Sequence, residues 1–226
     1  MAEEARSNVP QENVTKKKRT AKVLSMGTTL EGIAAGFAVA MAIIGLVGMY
    51  PTLLVAASII VVGIGLFFEG TAISAKFKEL VAATTRGESG KEEVSGGAAI
   101  ETLGGLLAIA LGVLAILEFV PATLIPSAII VIGACMVLGA ATNVRMIYLS
   151  IARPEQSSLD KMARHAAFSA TGLQVIIGFG AIALGILALL DISPLLLSLI
   201  AVLAIAGSML LSSSSLTGRL MSQLRY

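Results

Sequence analysis

The stretch "LEGIAAGFAVAMAIIGLVGMYP", residues 30–51, decides the fold. A carboxylate, Glu31, heads a segment that is otherwise apolar or small, and Pro51 closes it twenty residues later. Twenty residues of α-helix rise about 30 Å, the thickness of a bilayer's hydrocarbon core. The same design returns in "IETLGGLLAIALGVLAILEFVP", where Glu101 stands twenty residues before Pro121. It returns again in "LQVIIGFGAIALGILALLDISP", where Gln174 stands twenty residues before Pro194. Three segments in one register form an internal repeat.

The composition around these segments excludes an ordinary soluble domain. Of 226 residues, 56% are hydrophobic and 13% charged, against about 25% charged in soluble domains. In lipid every backbone polar group needs an internal partner, so the apolar runs must be helical. The expected fold is an all-α integral membrane protein with six spans, near 26–48, 52–70, 98–119, 122–142, 167–190 and 195–214. The spans pair as three tandem hairpins, with Pro51, Pro121 and Pro194 at the outer turns. Proline cannot continue the preceding helix but suits the first turn of the next. The expected organisation is a disordered charged tail over 1–22, hairpins over 23–85, 98–151 and 165–226, and hydrophilic cytoplasmic linkers over 86–97 and 152–164. The third hairpin includes a short cytoplasmic tail.

Charge orients the chain. All sixteen Lys and Arg lie before the first span, in the two long connections with their flanking helix ends, or in the C-terminal tail. The three proline turns hold none; their only charges are Glu118 and Asp191. The positive-inside rule puts both termini and both long connections in the cytoplasm, as expected for a multi-pass protein of the cytoplasmic membrane. "KKKR" at 16–19 anchors this topology and can also touch anionic lipid headgroups. No cleavable signal peptide is read at the N-terminus. Past each second span, apolar pairs (Phe77 and Val81, Ile147 and Ile151, Leu220 and Leu224) point to a surface amphipathic helix or to a plain helical extension.

Lipid supplies no hydrophobic drive between helices, so small residues must pack them. Ala38 and Ala42, Ala108 and Gly112, and Ala181 and Gly185 lie thirteen and nine residues before their prolines. Gly32 and Gly36 form a further pair. Gly63 and Gly133 lie twelve residues after theirs, with Ala206 and Gly207 at the third position. These read as helix contacts, with the odd-numbered helices gathered near a pseudo-threefold axis. A glycine-lined conduit is the functional alternative.

Ionisable groups inside a membrane mark functional sites by default. Glu31, Glu101 and Gln174 fall near the cytoplasmic edge, as does Glu69, eighteen residues after Pro51. Two readings are open. They can be helix-start residues facing the positive end of the helix dipole, with "TTLE" at 28–31 as a capping box. Alternatively, if the helices begin earlier, Glu31, Glu101 and Gln174 face one another in a buried polar ring. Such a ring can share a proton, bind a cation or lock the register of the hairpins. "SSSS" at 212–215 marks the inner membrane edge. The single cysteine, Cys135, and single histidine, His165, leave no intramolecular disulfide and no Cys or His metal cluster. There is no nucleotide loop, no nucleophile–base set and no nucleic-acid signature, so no catalytic residue, cofactor, metal or nucleic-acid partner is expected.

The hairpin pattern resembles the HdeD family, bacterial and archaeal membrane proteins built of short two-helix repeats. "LGVLAILEFVPATLIPSAIIVIGACMVLGA" and "LGILALLDISPLLLSLIAVLAIAGSMLL" carry the resemblance; "IIGLVGMYPTLLVAASIIVVGIGLFFEG" matches more loosely. The charged tail and long connections depart from that family. The resemblance implies this fold and an association with acid resistance, and carries over no catalytic residue. The expected function is a structural or stress-response role without catalysis, with homo-oligomerisation left open. The alternative is an ion or proton channel or transporter that uses the ring.

Overall fold

The computed structural model describes residues 29–83, 89–151 and 158–223, with side chains described for 29–71, 99–140 and 171–213. All of the described secondary structure is helical. The helices are α1 (29–46), α2 (Pro51–Ala83), α3 (Ser89–Ile116), α4 (Pro121–Ile151), α5 (Ser158–Leu189) and α6 (Pro194–Gln223). Each of the six is long and apolar enough to cross a membrane. Their large exposed side chains, among them Ile33, Phe37, Leu103, Leu107, Ile176 and Phe179, are apolar, as a lipid-facing surface requires.

Three turns, 47–50, 117–120 and 190–193, join α1 to α2, α3 to α4 and α5 to α6. Their backbones are built alike. The third residue before each proline, Gly48, Glu118 or Asp191, is left-handed, with φ of 96°, 59° and 62°. Glu118 N–H donates to the Ala115 carbonyl and Phe119 N–H to the Leu114 carbonyl, each at 3.1 Å. This is a Schellman cap, which satisfies carbonyls that the helix end leaves free. Asp191 and Ile192 bond back to Ala188 and Leu187 in the same way. Proline then opens the next helix, where its missing N–H costs nothing. Tyr50, Val120 and Ser193, immediately before the prolines, also have positive φ, and their carbonyls accept the first bonds of the new helices.

Burial follows matching offsets from the three prolines. On α1, α3 and α5 the side chains 20, 16, 13, 9 and 6 residues before the proline are buried in every case. Below the first position these are all small: Ala35, Ala38, Ala42 and Gly45; Gly105, Ala108, Gly112 and Ala115; Gly178, Ala181, Gly185 and Ala188. The steps alternate four and three, a heptad seam that lets helices cross at a shallow left-handed angle.

The even-numbered helices occupy the axis, which corrects the arrangement expected from the small-residue pairs. α2, α4 and α6 all touch one another, whereas α3 lies against α2 and α4, and α5 against α4 and α6. α1 closes the ring between α6 and α2: a Cβ on Gly45 would meet Leu199 Cδ2 at 2.8 Å and Leu54 Cβ at 3.5 Å. The axis is filled by branched and long side chains in heptad steps, with Ile59, Ile129 and Val202, then Val62, Ile132 and Ile205, then Leu66, Met136 and Met209 buried at matching depths. Three helices around one axis leave a gap that bulky side chains must fill. The small residues serve a different contact, where an outer helix settles into the groove beside an inner one. A Cβ on Gly63 would lie 2.8 Å from the Gly105 carbonyl, and one on Gly133 would lie 2.7 Å from that of Gly178. Added Cβ atoms on Gly112 and Gly185 would meet Ile60 Cγ1 at 2.7 Å and Ile130 Cγ1 at 2.6 Å. At the third position the buried small residue is Ala206, while Gly207 meets nothing within 4 Å. Gly32 abuts Ser213, but Gly36 meets nothing within 4 Å and is not a contact residue. With the axis packed, a glycine-lined conduit does not describe this bundle.

The helices also run further than the expected spans. α2, α4 and α6 continue without a break to Ala83, Ile151 and Gln223, as plain extensions. Residues 89–97 belong to α3 and 158–164 to α5, so much of both expected linkers is helix. The expected tail, 1–22, lies outside the described residues.

Candidate functional site

Glu31 on α1 and Glu101 on α3 are 2% and 1% exposed. α2 stands between these two helices and presents Glu69 at nearly the same depth. Eighteen residues of helix separate Glu69 from Pro51, about 27 Å of rise. The three carboxylates form one electrostatic cluster, in which Glu31 senses both Glu69 and Glu101, and Glu101 senses Glu69. One oxygen of Glu31, one of Glu69 and both of Glu101 are buried without a hydrogen-bond partner. The described side chains include no Lys, Arg or His. Of their five acids, Glu118 and Asp191 lie exposed in the proline turns at the other end, and the other three are gathered here.

Each position has a local reason. Glu101 is seated on Gly139 of α4, whose missing side chain makes room for the carboxylate. Beside it Cys135 lies over Gly104, its Sγ 3.7 Å from the Ile100 carbonyl. Gly139, Glu69 and Ser212 all stand eighteen residues after their prolines, opposite positions twenty before. The chain thus fills one structural slot with a space, an acid and a hydroxyl.

The length of α3 and α5 removes Glu101 and Gln174 from the helix-start reading. α3 begins at Ser89 and α5 at Ser158, so both residues lie several turns inside their helices and away from the N-terminal dipole. Thr28, the cap of the expected capping box, lies outside the described residues. Gln174 is buried at 7% exposure, at the position on α5 that matches Glu31 and Glu101. It nevertheless stands apart from them: among the described residues α5 packs on α4 and α6, without contact to α2 or α3, which carry Glu69 and Glu101. The member that joins Glu31 to Glu101 is Glu69. A ring read from matching offsets misses it, because its counterparts are Gly139 and Ser212. The available signal was its depth, the same as that of Glu31.

On α6 the hydroxyls of Ser208, Ser212 and Ser213 donate to carbonyls of their own helix, at 2.7, 3.0 and 3.0 Å. They carry the polar layer around toward α1, where Ser213 meets Gly32 beside Glu31. Among the described residues, no three His, Cys, Asp or Glu side chains are placed to hold a metal ion.

No family model, curated protein or solved structure matches this chain.

Proposed function

We propose that this protein is a proton-responsive component of the cytoplasmic membrane, with Glu31, Glu69 and Glu101 as the residues that take up and release protons. The observation that supports it is the pair Glu31 and Glu101, almost wholly buried, with unpaired oxygens and beside a third carboxylate. An ionised carboxylate in such surroundings costs several kcal/mol unless something neutralises it. Three adjacent ones repel, which adds to the cost. A proton neutralises a carboxylate without needing space. A cation needs several converging oxygens, and the described acids are not so arranged.

The basic ends of the helices belong in the cytoplasm by the positive-inside rule, so the cluster exchanges protons from that side. Beyond it the axis is packed with Leu66, Met136 and Met209 and the layers that follow. That plug favours a sensor that binds protons from one side over a conductor through the bundle. The change in charge would act on helix packing, because Glu101 lies in the α3–α4 contact. A stress-response role of the acid-resistance type fits such a sensor and rests on the hairpin resemblance to the HdeD family.

The test is thermal unfolding of the full chain in detergent at pH 5 and pH 8. The wild type should show a difference between the two that shrinks in Glu31→Gln and Glu101→Gln and is smallest in the double variant. The same pH difference in all four proteins would overturn the proposal. Proton uptake into proteoliposomes driven by a pH step, abolished by either substitution, would replace the sensor with a conductor.

A further inference from the structure

The three acids of the cluster are not equally enclosed. Glu101 is sealed at both oxygens and Glu31 at one, and the two residues are 1% and 2% exposed. Glu69 is only half-buried, and of its two oxygens Oε2 alone is sealed, without a hydrogen-bond partner. The heptad steps of the axis account for this. Ile59, Val62 and Leu66 follow one another along α2, and the next step, about 4.5 Å further on, is Glu69. The same step brings α4 to Gly139 and α6 to Ser212, so no large apolar side chain fills the axis at this level. The packed axis ends at Leu66, Met136 and Met209, and Glu69 follows on the side of the basic helix ends. Two residues later the Thr71 hydroxyl donates to the Phe68 carbonyl at 2.9 Å in exposed surroundings. The enclosed part of α2 therefore ends at Glu69.

Among the described side chains, every titratable group around Glu69 belongs to the same layer. α1 brings Glu31, and α3 brings Glu101. α4 brings Gly139, with Cys135 beside Glu101. α6 brings Ser212, whose hydroxyl donates to the Ser208 carbonyl at 3.0 Å.

We infer that Glu69 is the entry point of the cluster: a proton from the cytoplasm bonds to it first and reaches Glu31 and Glu101 through it. This rests on the proton-responsive reading above and adds a route to it. A carboxyl group suits the task because it carries two oxygens, here one open and one enclosed with the other acids. An incoming proton forms an O–H bond on Glu69, and the carboxyl turns about its soft terminal torsion. That bond then breaks as a new one forms on Glu31 or Glu101, and Glu69 returns to a carboxylate. One proton moves inward and no electron is transferred. Each transfer needs hydrogen-bond reach or one bridging water. Glu101, sealed at both oxygens, has no direct path to water. Direct protonation of Glu31 at its less covered oxygen is the competing route.

The experiment is a pH jump from 8 to 5 and back on the full chain in detergent, followed by the infrared carbonyl stretch of protonated carboxyls. The Glu31→Gln, Glu101→Gln double variant identifies the part of the signal that belongs to the sealed pair. Glu69→Gln should slow both the rise and the decay of that part by about a hundredfold or more, and Glu69→Asp should restore most of the rate. Loss of a neighbouring charge by itself changes the ratio of the two rates, and so the midpoint, without slowing both. Helix content by circular dichroism should be unchanged in both variants. In the wild type, a water-soluble carbodiimide with glycine ethyl ester should tag Glu69 well before Glu31 or Glu101, as read by peptide mass spectrometry. Three results would each overturn the inference and leave the proton-responsive reading standing: unchanged rates in Glu69→Gln, a change in only one of the two rates, or tagging of Glu31 or Glu101 as fast as Glu69. No pH-dependent signal from the sealed pair would overturn both.

Discussion

Glu101 of α3 occupies the space that Gly139 of α4 leaves open: a Cβ on Gly139 would fall 2.6 Å from the Glu101 Cδ. The acid and the glycine are therefore one unit. Gly139→Ala should cost about 1–3 kcal/mol by overpacking the site. In a Glu101→Ala background the same substitution should cost little. Thermal unfolding of the four proteins in detergent measures the coupling. A value under about 0.3 kcal/mol would separate the two residues.

The carboxylate cluster predicts which pairs of substitutions interact. Glu31→Gln and Glu69→Gln remove neighbouring charges, so their effects on stability should couple by about 0.5 kcal/mol or more at pH 8. Glu31→Gln and Gln174→Ala should be additive, because among the described residues α5 packs on α4 and α6, on the side of the bundle away from the α2 and α3 carboxylates that neighbour Glu31. The reverse pattern would restore Gln174 to the cluster and remove Glu69.

The small residues separate into contacts and spectators. Gly112→Leu and Gly185→Leu drive a side chain into Ile60 or Ile130 and toward the carbonyls of Ala56 or Pro126, each 3.1 Å from an added Cβ. Each should lower detergent stability by at least about 1–3 kcal/mol. Gly36→Leu meets nothing and should be neutral, or stabilising by up to about 1 kcal/mol through helix propensity. Unfolding temperatures of the three variants decide the matter; equal losses would mean that the assigned contacts are misplaced.

Membrane orientation is open to direct labelling. In a background without Cys135, cysteines at Thr52 and Ser193 should react with an impermeant maleimide on intact cells. Cysteines at Gly90 and Ser157 should react only after permeabilisation. The opposite pattern would reverse the side from which the carboxylate cluster meets protons.

Much of this architecture is legible in the chain. The prolines set the turns, the apolar runs set the helices, and the offsets pair Gly63 with Gly133 and Gly112 with Gly185 as contact positions. The choice of inner helices was harder, because small residues suggest the closest approach and hence the centre. Yet a threefold axis needs filling, and Ile59, Ile129 and Val202 fill it, while Gly105 and Gly178 bring outer helices close to inner ones. Helix ends were also obscure. Hydropathy fades near residue 98, but α3 starts at Ser89, and those extra turns take Glu101 away from the helix start. Glu69 is hidden as a partner for a related reason: matching positions reveal what three segments share, and its acid is what they do not share.

The closure of α1 onto α6 also bears on how the molecule is made. Helices leave the ribosome in order, and α3 finds its neighbours α2 and α4 soon after synthesis. Gly32 and Gly45 of α1 must wait for the last helix, which brings Ser213 and Leu199 to them. Until then the axis stands open on one side, because α6 supplies a third of it. The first and last helices together form the latch of the assembly. A nascent chain halted after four helices would leave Gly32 and Gly45 without the α6 side chains they meet in the finished bundle.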